Sequence, residues 1–239
     1  MWLSARSRYS CDPRSYGNGR RLVQRFVRLA ALAWVLAAGS GASLAQEGIQ
    51  GRPLKIVAFG DSLTAGYSLP ASAAFPVRLE QALKAKGHAV TIVNAGVSGD
   101  TSSGGLARVD WSIPVDADAV ILELGGNDML RGIDPKITRQ SLDTIIRTLR
   151  ARKIEVMLAG MRAAPNLGAE YRRNYDSIFP DLASAYGLVF YPFFLDGVAT
   201  NASFNLRDGI HPNQAGVDVI VMRILPKVEE LIARVRARR

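Results

Sequence analysis

A serine, a histidine and an aspartate are the residues of this sequence best placed to do chemistry. Ser62 stands in Phe59–Tyr67, FGDSLTAGY, directly after the apolar run Leu54–Phe59, which reads as a strand ended by Gly60. In open α/β folds ligands bind outside the carboxyl ends of strands, so a hydroxyl here is placed to act as a nucleophile. The four residues Gly60–Leu63 alone are a weak signal. A glycine turn with Ser62 or Thr64 capping the next helix reads the same way.

A serine hydroxyl needs a base, and imidazole has the suitable pKa. The chain has two histidines. His88 follows Gly87 at a helix end and reads as an exposed terminus residue. His211 lies in Asp208–Pro212, DGIHP, three residues after Asp208, close enough for that carboxylate to hold the ring and fix its tautomer. The alternative is a turn histidine bonded to backbone.

An acyl-transfer intermediate also needs donors for its oxyanion, each worth roughly 3–4 kcal/mol of the barrier. The backbone N–H groups of Ser62 and Gly99 and the side-chain amide of Asn127 can supply them. Gly99 lies in Asn94–Thr101, NAGVSGDT, and Asn127 in Gly125–Asp128, GGND. Taken singly, Asn127 reads equally as a left-handed turn residue after Gly126. Ser98 is a second candidate nucleophile in a glycine loop, and Ser62 is preferred for its place after the first strand.

These residues need a scaffold that brings them to one edge. Five apolar runs of strand length recur: Leu54–Phe59, Ala89–Asn94, Ala119–Leu124, Glu155–Met161 and Leu188–Phe193. Several are continuous rather than alternating, as expected for parallel strands covered on both faces. Between them, Phe75, Leu79 and Leu83 fall on one helix face, with Gly87 as a stop. Asp134 before Pro135 reads as an N-cap and first helical residue, with Leu142, Ile145, Ile146 and Leu149 on the face that follows. The βαβα order predicts a single α/β domain over residues 54–239, a three-layer α/β/α sandwich on a five-stranded parallel sheet.

The formal charge of +9 suggests a nucleic-acid or membrane-surface partner until its location is considered. Residues 1–45 carry seven arginines against one acid, Asp12, which leaves +3 for the rest. No basic stripe with interleaved aromatics remains, which argues against nucleic-acid binding. Arg234, Arg236, Arg238 and Arg239 read as a solvated helix end. Arg25 and Arg28, the apolar run Leu29–Ala38 and the small-residue stretch Gly39–Ala45 form the pattern of a secretory signal. The expectation is a signal peptide over residues 1–45, a linker over 46–53, and an exported enzyme, periplasmic or secreted, with no stable membrane span once the signal is removed. Cys11, the only cysteine, would leave with the leader, so the mature chain would lack disulfides and thiolate ligands.

Together, GDSLTAGY, SGDTS, ELGGND, LRG and DGIHPN resemble the SGNH/GDSL hydrolase superfamily over roughly residues 54–231. Within it the chain is similar to the bacterial exported thioesterase/lysophospholipase/arylesterase group. The resemblance implies a flavodoxin-like SGNH fold. It makes Ser62 the nucleophile and first oxyanion donor, has Gly99 and Asn127 complete the hole, and makes His211 the base oriented by Asp208. It implies substrate contacts by Asp61, by Met129, Leu130 and Ile133 in a loop beside the acyl site, by Pro165 and Leu167 along an acyl groove, and by Ile210. Met129 and the run Ala163–Asn166 depart from the group's pattern, in the part that sets acyl-length preference.

The implied partner is a small-molecule ester or acyl substrate, handled by a monomer without cofactor or metal. G-x-S-x-G is absent at Ser62, because Thr64 stands where the second glycine would be, and no phosphate-binding glycine loop occurs there. Two alternatives use the same groove: a carbohydrate O-deacetylase, and a non-catalytic periplasmic protein that binds acyl chains or glycans. The apolar flanks Leu130, Ile133, Leu167 and Ile210 favour acyl or aryl esters over sugars.

Overall fold

The structure is a computed structural model that describes residues 52–239. The expected signal peptide, most of the linker and Cys11 lie outside the described residues.

The apolar runs form the strands Leu54–Gly60 (β1), Val90–Gly96 (β2), Ala119–Glu123 (β3), Glu155–Ala159 (β4) and Val189–Tyr191 (β5). All neighbours pair in parallel, in the order β2-β1-β3-β4-β5. Every residue of β3 and β4 is buried, which is why their sequences do not alternate. β2 is an edge strand and does alternate, with Val90 and Ile92 inside and Thr91 outside. The last two strands are shorter than their apolar runs. At Gly160 the chain leaves β4, taking a bond from Phe194 N–H and donating its own N–H to Tyr191 O.

The helices are Ser62–Ala65 (α1), Phe75–Ala85 (α2), Ser102–Ser112 (α3), Gly126–Leu130 (α4), Pro135–Ala151 (α5), Ala169–Asp176 (α6), Ile178–Tyr186 (α7) and Gln214–Arg236 (α8). α2 and α8 pack on each other over one face of the sheet, while α3 packs on α5 and α7 covers β4 and β5. This is a three-layer sandwich. α5 begins as its sequence predicts: the Asp134 carboxylate accepts from Lys136 N–H at 2.9 Å, and Leu142, Ile145, Ile146 and Leu149 are buried. No helix among the described residues is long and apolar enough to cross a membrane.

The basic tail differs from the expected solvated end. Arg234 pairs with Glu230 at 2.8 Å, Arg238 with Glu155, and Arg239 with Asp118 at 2.8 Å. The first pair lies within α8, and the other two fasten Arg238 and Arg239 to the amino-terminal ends of β4 and β3.

For function, the register matters most. Gly60 at the end of β1 is level with Gly96 of β2 on one side and Glu123 of β3 on the other. The loops after three strands therefore begin at one height.

Candidate active site

The turn after β1 is tight because its first residue has no side chain. A Cβ on Gly60 would lie 2.2 Å from Thr64 Oγ1 and 2.6 Å from Glu123 O. Asp61 caps α1, accepting Leu63 N–H at 3.0 Å. The cap is thus Asp61 rather than Ser62 or Thr64, and the Ser62 hydroxyl stays available.

The loop carrying the second and third members is pinned to itself. Leu206 N–H donates to His211 O at 2.7 Å, and Asn213 N–H donates to Phe204 O at 2.9 Å. Gly209 takes φ +72°, a backbone state open to glycine at little cost. Within this frame Asp208 Oδ1 accepts Ile210 N–H at 2.9 Å and His211 N–H at 3.0 Å, while Oδ2 lies 2.8 Å from His211 Nδ1. The two backbone donors, with help from the ring, lower the Asp208 pKa to about 2. His211 Nε2 lies 2.9 Å from Ser62 Oγ. Serine, imidazole and carboxylate form one hydrogen-bonded chain.

Asn127 sits in α4. The left-handed residue is Gly125, at φ +115°, which corrects the turn reading of Asn127. Asn127 Nδ2 donates to Asp61 Oδ2 and to Asp100 O, each at 3.0 Å, and so joins the loops after β1, β2 and β3. Gly99 has φ +81°, and its carbonyl accepts from Arg131 at 2.8 Å. Among the described residues, neither Ser62 N–H nor Gly99 N–H donates to a protein acceptor. Ser98 makes no bond to His211.

Three buried charged residues that support these loops went unnoticed in the sequence. Arg108 donates to Gly60 O, Ala95 O and Asp100 Oδ2 at 2.8, 2.9 and 2.6 Å and lies over the Phe59 ring. Asp128 accepts from Ser102 N–H and Thr138 Oγ1 at 2.8 and 3.0 Å. Glu123 accepts Thr64 Oγ1–H at 2.7 Å, and its other oxygen, Oε1, has no partner among the described residues. Burial, and then the nearby Asp61 carboxyl, push the Glu123 pKa well up. Burial likewise raises Asp61 to about 6, against the pull of its bonds to Leu63 and Asn127. Only Glu123 had a usable signal, as an acid closing an otherwise apolar strand. An arginine inside α3 and an aspartate next to Asn127 had none.

A groove of about 430 Å³ opens beside Ser62, Asn127 and His211. Asp61, Met129, Leu130, Pro165 and Ile210 line it, together with Met161, Ala163 and Phe193. Ile133 and Leu167 do not. The Ile133 carbonyl accepts the Tyr171 hydroxyl at 3.0 Å, and Leu167 faces a separate hollow beside Pro135 and Tyr171. Another cavity, about 410 Å³, lies between Arg150, Lys153, Tyr186 and Arg238, away from these residues. His88 is not a free terminus residue, since its Nε2 lies 3.0 Å from Glu229 Oε1 of α8. Among the described residues, no three His, Cys, Asp or Glu side chains converge as a metal site.

Comparison with known proteins points the same way. The model of the GDSL-like Lipase/Acylhydrolase family matches residues 58–219. An arylesterase of Vibrio mimicus is 37% identical over 159 residues, 66% of this chain and 80% of the relative. The thioesterase 1/protease 1/lysophospholipase L1 of Escherichia coli K12 is 36% identical over 178 residues, 74% of this chain and 84% of the relative. Among solved structures, AlinE4, described as an SGNH-hydrolase family esterase, shares 44% identity over 76% of this chain and 97% of its own, with a TM-score of 0.64.

Proposed function

The chain belongs to the GDSL-like lipase/acylhydrolase family, and from that premise we propose that it is a serine esterase cleaving carboxylic esters and thioesters of apolar acyl or aryl groups. The observation that carries the reading is the chain Ser62 Oγ, His211, Asp208, with links of 2.9 and 2.8 Å at the mouth of an apolar groove.

Ser62 Oγ attacks the carbonyl carbon as His211 Nε2 takes its proton, and Asp208 holds the Nδ1–H tautomer and steadies the imidazolium that forms. The carbonyl oxygen, now an anion, turns toward Ser62 N–H, Gly99 N–H and the Asn127 amide. Asn127 already bonds Asp61 and Asp100, so it serves by shifting one hydrogen from those acceptors to the oxyanion. His211 then protonates the departing alkoxide or thiolate. Water, deprotonated by the same imidazole, releases the acid from Ser62. No step calls on a cofactor.

We assign Asp61, Met129, Leu130, Pro165 and Ile210 to contacts with the substrate, with the acyl chain along the groove. Residues 1–45 serve as an export signal ahead of a linker over 46–53, and the mature domain over 54–239 acts outside the cytoplasm as a monomer. The apolar lining favours acyl and aryl esters over sugar acetates.

The test is hydrolysis by the purified domain of a matched panel, with Ser62→Ala as the blank. The panel is p-nitrophenyl esters of short and long acyl chains, phenyl acetate, an acyl-CoA, a lysophospholipid and acetylated xylan. Ser62-dependent turnover of acyl or aryl esters is expected. Turnover confined to acetylated xylan would move the enzyme to the deacetylases, and silence from a folded sample would refute catalysis.

A further inference from the structure

The nitrogen edges of His211 are taken by Asp208 and Ser62, and one face of the ring is taken by Tyr67. The two ring centroids are 4.4 Å apart with planes inclined by 35°. Tyr67 belongs to the nucleophile turn, two residues beyond α1, and its N–H donates to Ser62 O at 3.1 Å. It is 46% exposed and no part of the core, so apolar burial does not explain its place. Its hydroxyl makes no hydrogen bond among the described residues.

The backbone turns sharply on both sides of Tyr67. Gly66 takes φ +81°, and a Cβ there would lie 2.7 Å from the Ala74 Cβ. Ser68, which is not a glycine, takes φ +57°. Positive φ at a residue with a side chain is costly and persists where the surroundings over-determine it. Here one such residue, Ser68, follows directly on the one whose ring meets the imidazole, and the left-handed Gly66 precedes it.

We propose that Tyr67 is a positioning residue for the general base: its ring face fixes the plane of His211 and stabilises the imidazolium that forms as Ser62 is deprotonated. The inference rests on the reading of His211 as the base. When the Ser62 O–H bond breaks, the proton goes to Nε2, the oxygen's electron pair forms the bond to the substrate carbon, and the carbonyl π pair moves to oxygen. The imidazole then carries a full positive charge against the negative face of the tyrosine ring, an attraction that the neutral ring largely lacks. Stabilisation that appears only as charge develops lowers the barrier without tightening substrate binding. Among the described residues, Asp208 from its own loop and Ser62 from the turn after β1 hydrogen-bond the ring, Asp61 of the same turn acts on it through its charge, and Tyr67 is the aromatic ring paired with it.

The experiment compares Tyr67→Phe, Tyr67→Leu and a series with one, two and three ring fluorines on phenylalanine at position 67. The readout is kcat, KM and the pH profile of kcat/KM on a p-nitrophenyl ester, with Ser62 labelling by a phosphonate to count competent sites. Tyr67→Phe should stay within about twofold of the parent. Tyr67→Leu should lose about tenfold in kcat with KM nearly unchanged, and the acidic limb of its profile should move to lower pH. Fluorination should lower kcat stepwise, because each fluorine drains the ring face while keeping its shape. A Leu variant with the parent's kcat, a loss without movement of the limb, or a flat fluorine series would overturn the proposal. Failure of the underlying reading looks different: Ser62→Ala and His211→Ala would then turn over as fast as the parent.

Discussion

Thr64 donates its hydroxyl hydrogen to Glu123 Oε2 at 2.7 Å, which joins the end of β3 to the helix that starts at the nucleophile. Glu123 is fully buried, and among the described residues its side chain accepts hydrogen bonds from Thr64 Oγ1–H and, at 3.4 Å, from Asp61 N–H. Such surroundings disfavour the charged carboxylate and favour the neutral state, which raises the pKa above its usual range.

That state sets the sign of its pH dependence. A group whose folded pKa is raised adds stability at pH values below its unfolded pKa and loses it as pH rises toward the folded value. Glu123→Gln keeps the neutral shape without the titration. Thermal unfolding should therefore find parent and Gln variant close together near pH 5, and the variant ahead at pH 9. Parallel curves over that range would show that Glu123 is ionised in the fold. Glu123→Ala should lose about 2–4 kcal/mol, by cavity formation and the loss of the acceptor for Thr64.

The two histidines separate chemistry from structure. Ser62→Ala and His211→Ala should each cut kcat by about 10³-fold or more while the melting temperature holds within a few degrees. His88→Ala removes a partly exposed contact with Glu229 and should leave kcat unchanged. A comparable loss of turnover in the His88 variant would reassign the base.

Much of this arrangement is legible in the sequence because local rules agree with the fold. β1, β3 and β4 are apolar at consecutive positions since both sheet faces are covered, and Asp134-Pro135 starts α5 by its own cap. Ser62 is findable because it opens a helix directly behind a glycine turn, and Asp208 and His211 because they lie in a short loop whose neighbours are turn formers. Long-range contacts are not written locally. Nothing near Arg108 says that its guanidinium reaches Gly60 O, 48 residues away. Nothing near Ile133 says that Tyr171 will tie its carbonyl and hold it out of the groove. The ring of Tyr67 was in view within its motif, but its partner lies on a loop far along the chain.

Asp208 gives a second pH effect, of opposite sign to that of Glu123. Its pKa is lowered to about 2, so its contribution to stability is present above the unfolded value and lost as pH falls from about 4 toward 2. The side chain is 36% exposed, so solvent screening limits the size of the effect. Asp208→Asn should flatten this part of the curve of melting temperature against pH between 2 and 5. It should also lower kcat by about 10²–10⁴-fold, because an amide can present a donor to Nδ1 and favour the wrong tautomer. Retained turnover would mean that the Asp208 bonds to Ile210 and His211 N–H serve the loop alone.

The groove offers the sharpest test of substrate class. Ala164 lines it, and its small side chain leaves space there. Ala164→Phe should fill part of that space without touching Ser62, His211 or Asn127. Each methylene kept from burial forfeits about 0.8 kcal/mol, so excluding three of them lowers kcat/KM by about 50-fold. On a series of p-nitrophenyl esters, the acetate should stay within about twofold of the parent while long-chain esters fall by that factor, mainly through KM. An equal change at every chain length would mean that the tail lies outside this groove and that the apolar lining does not select the substrate.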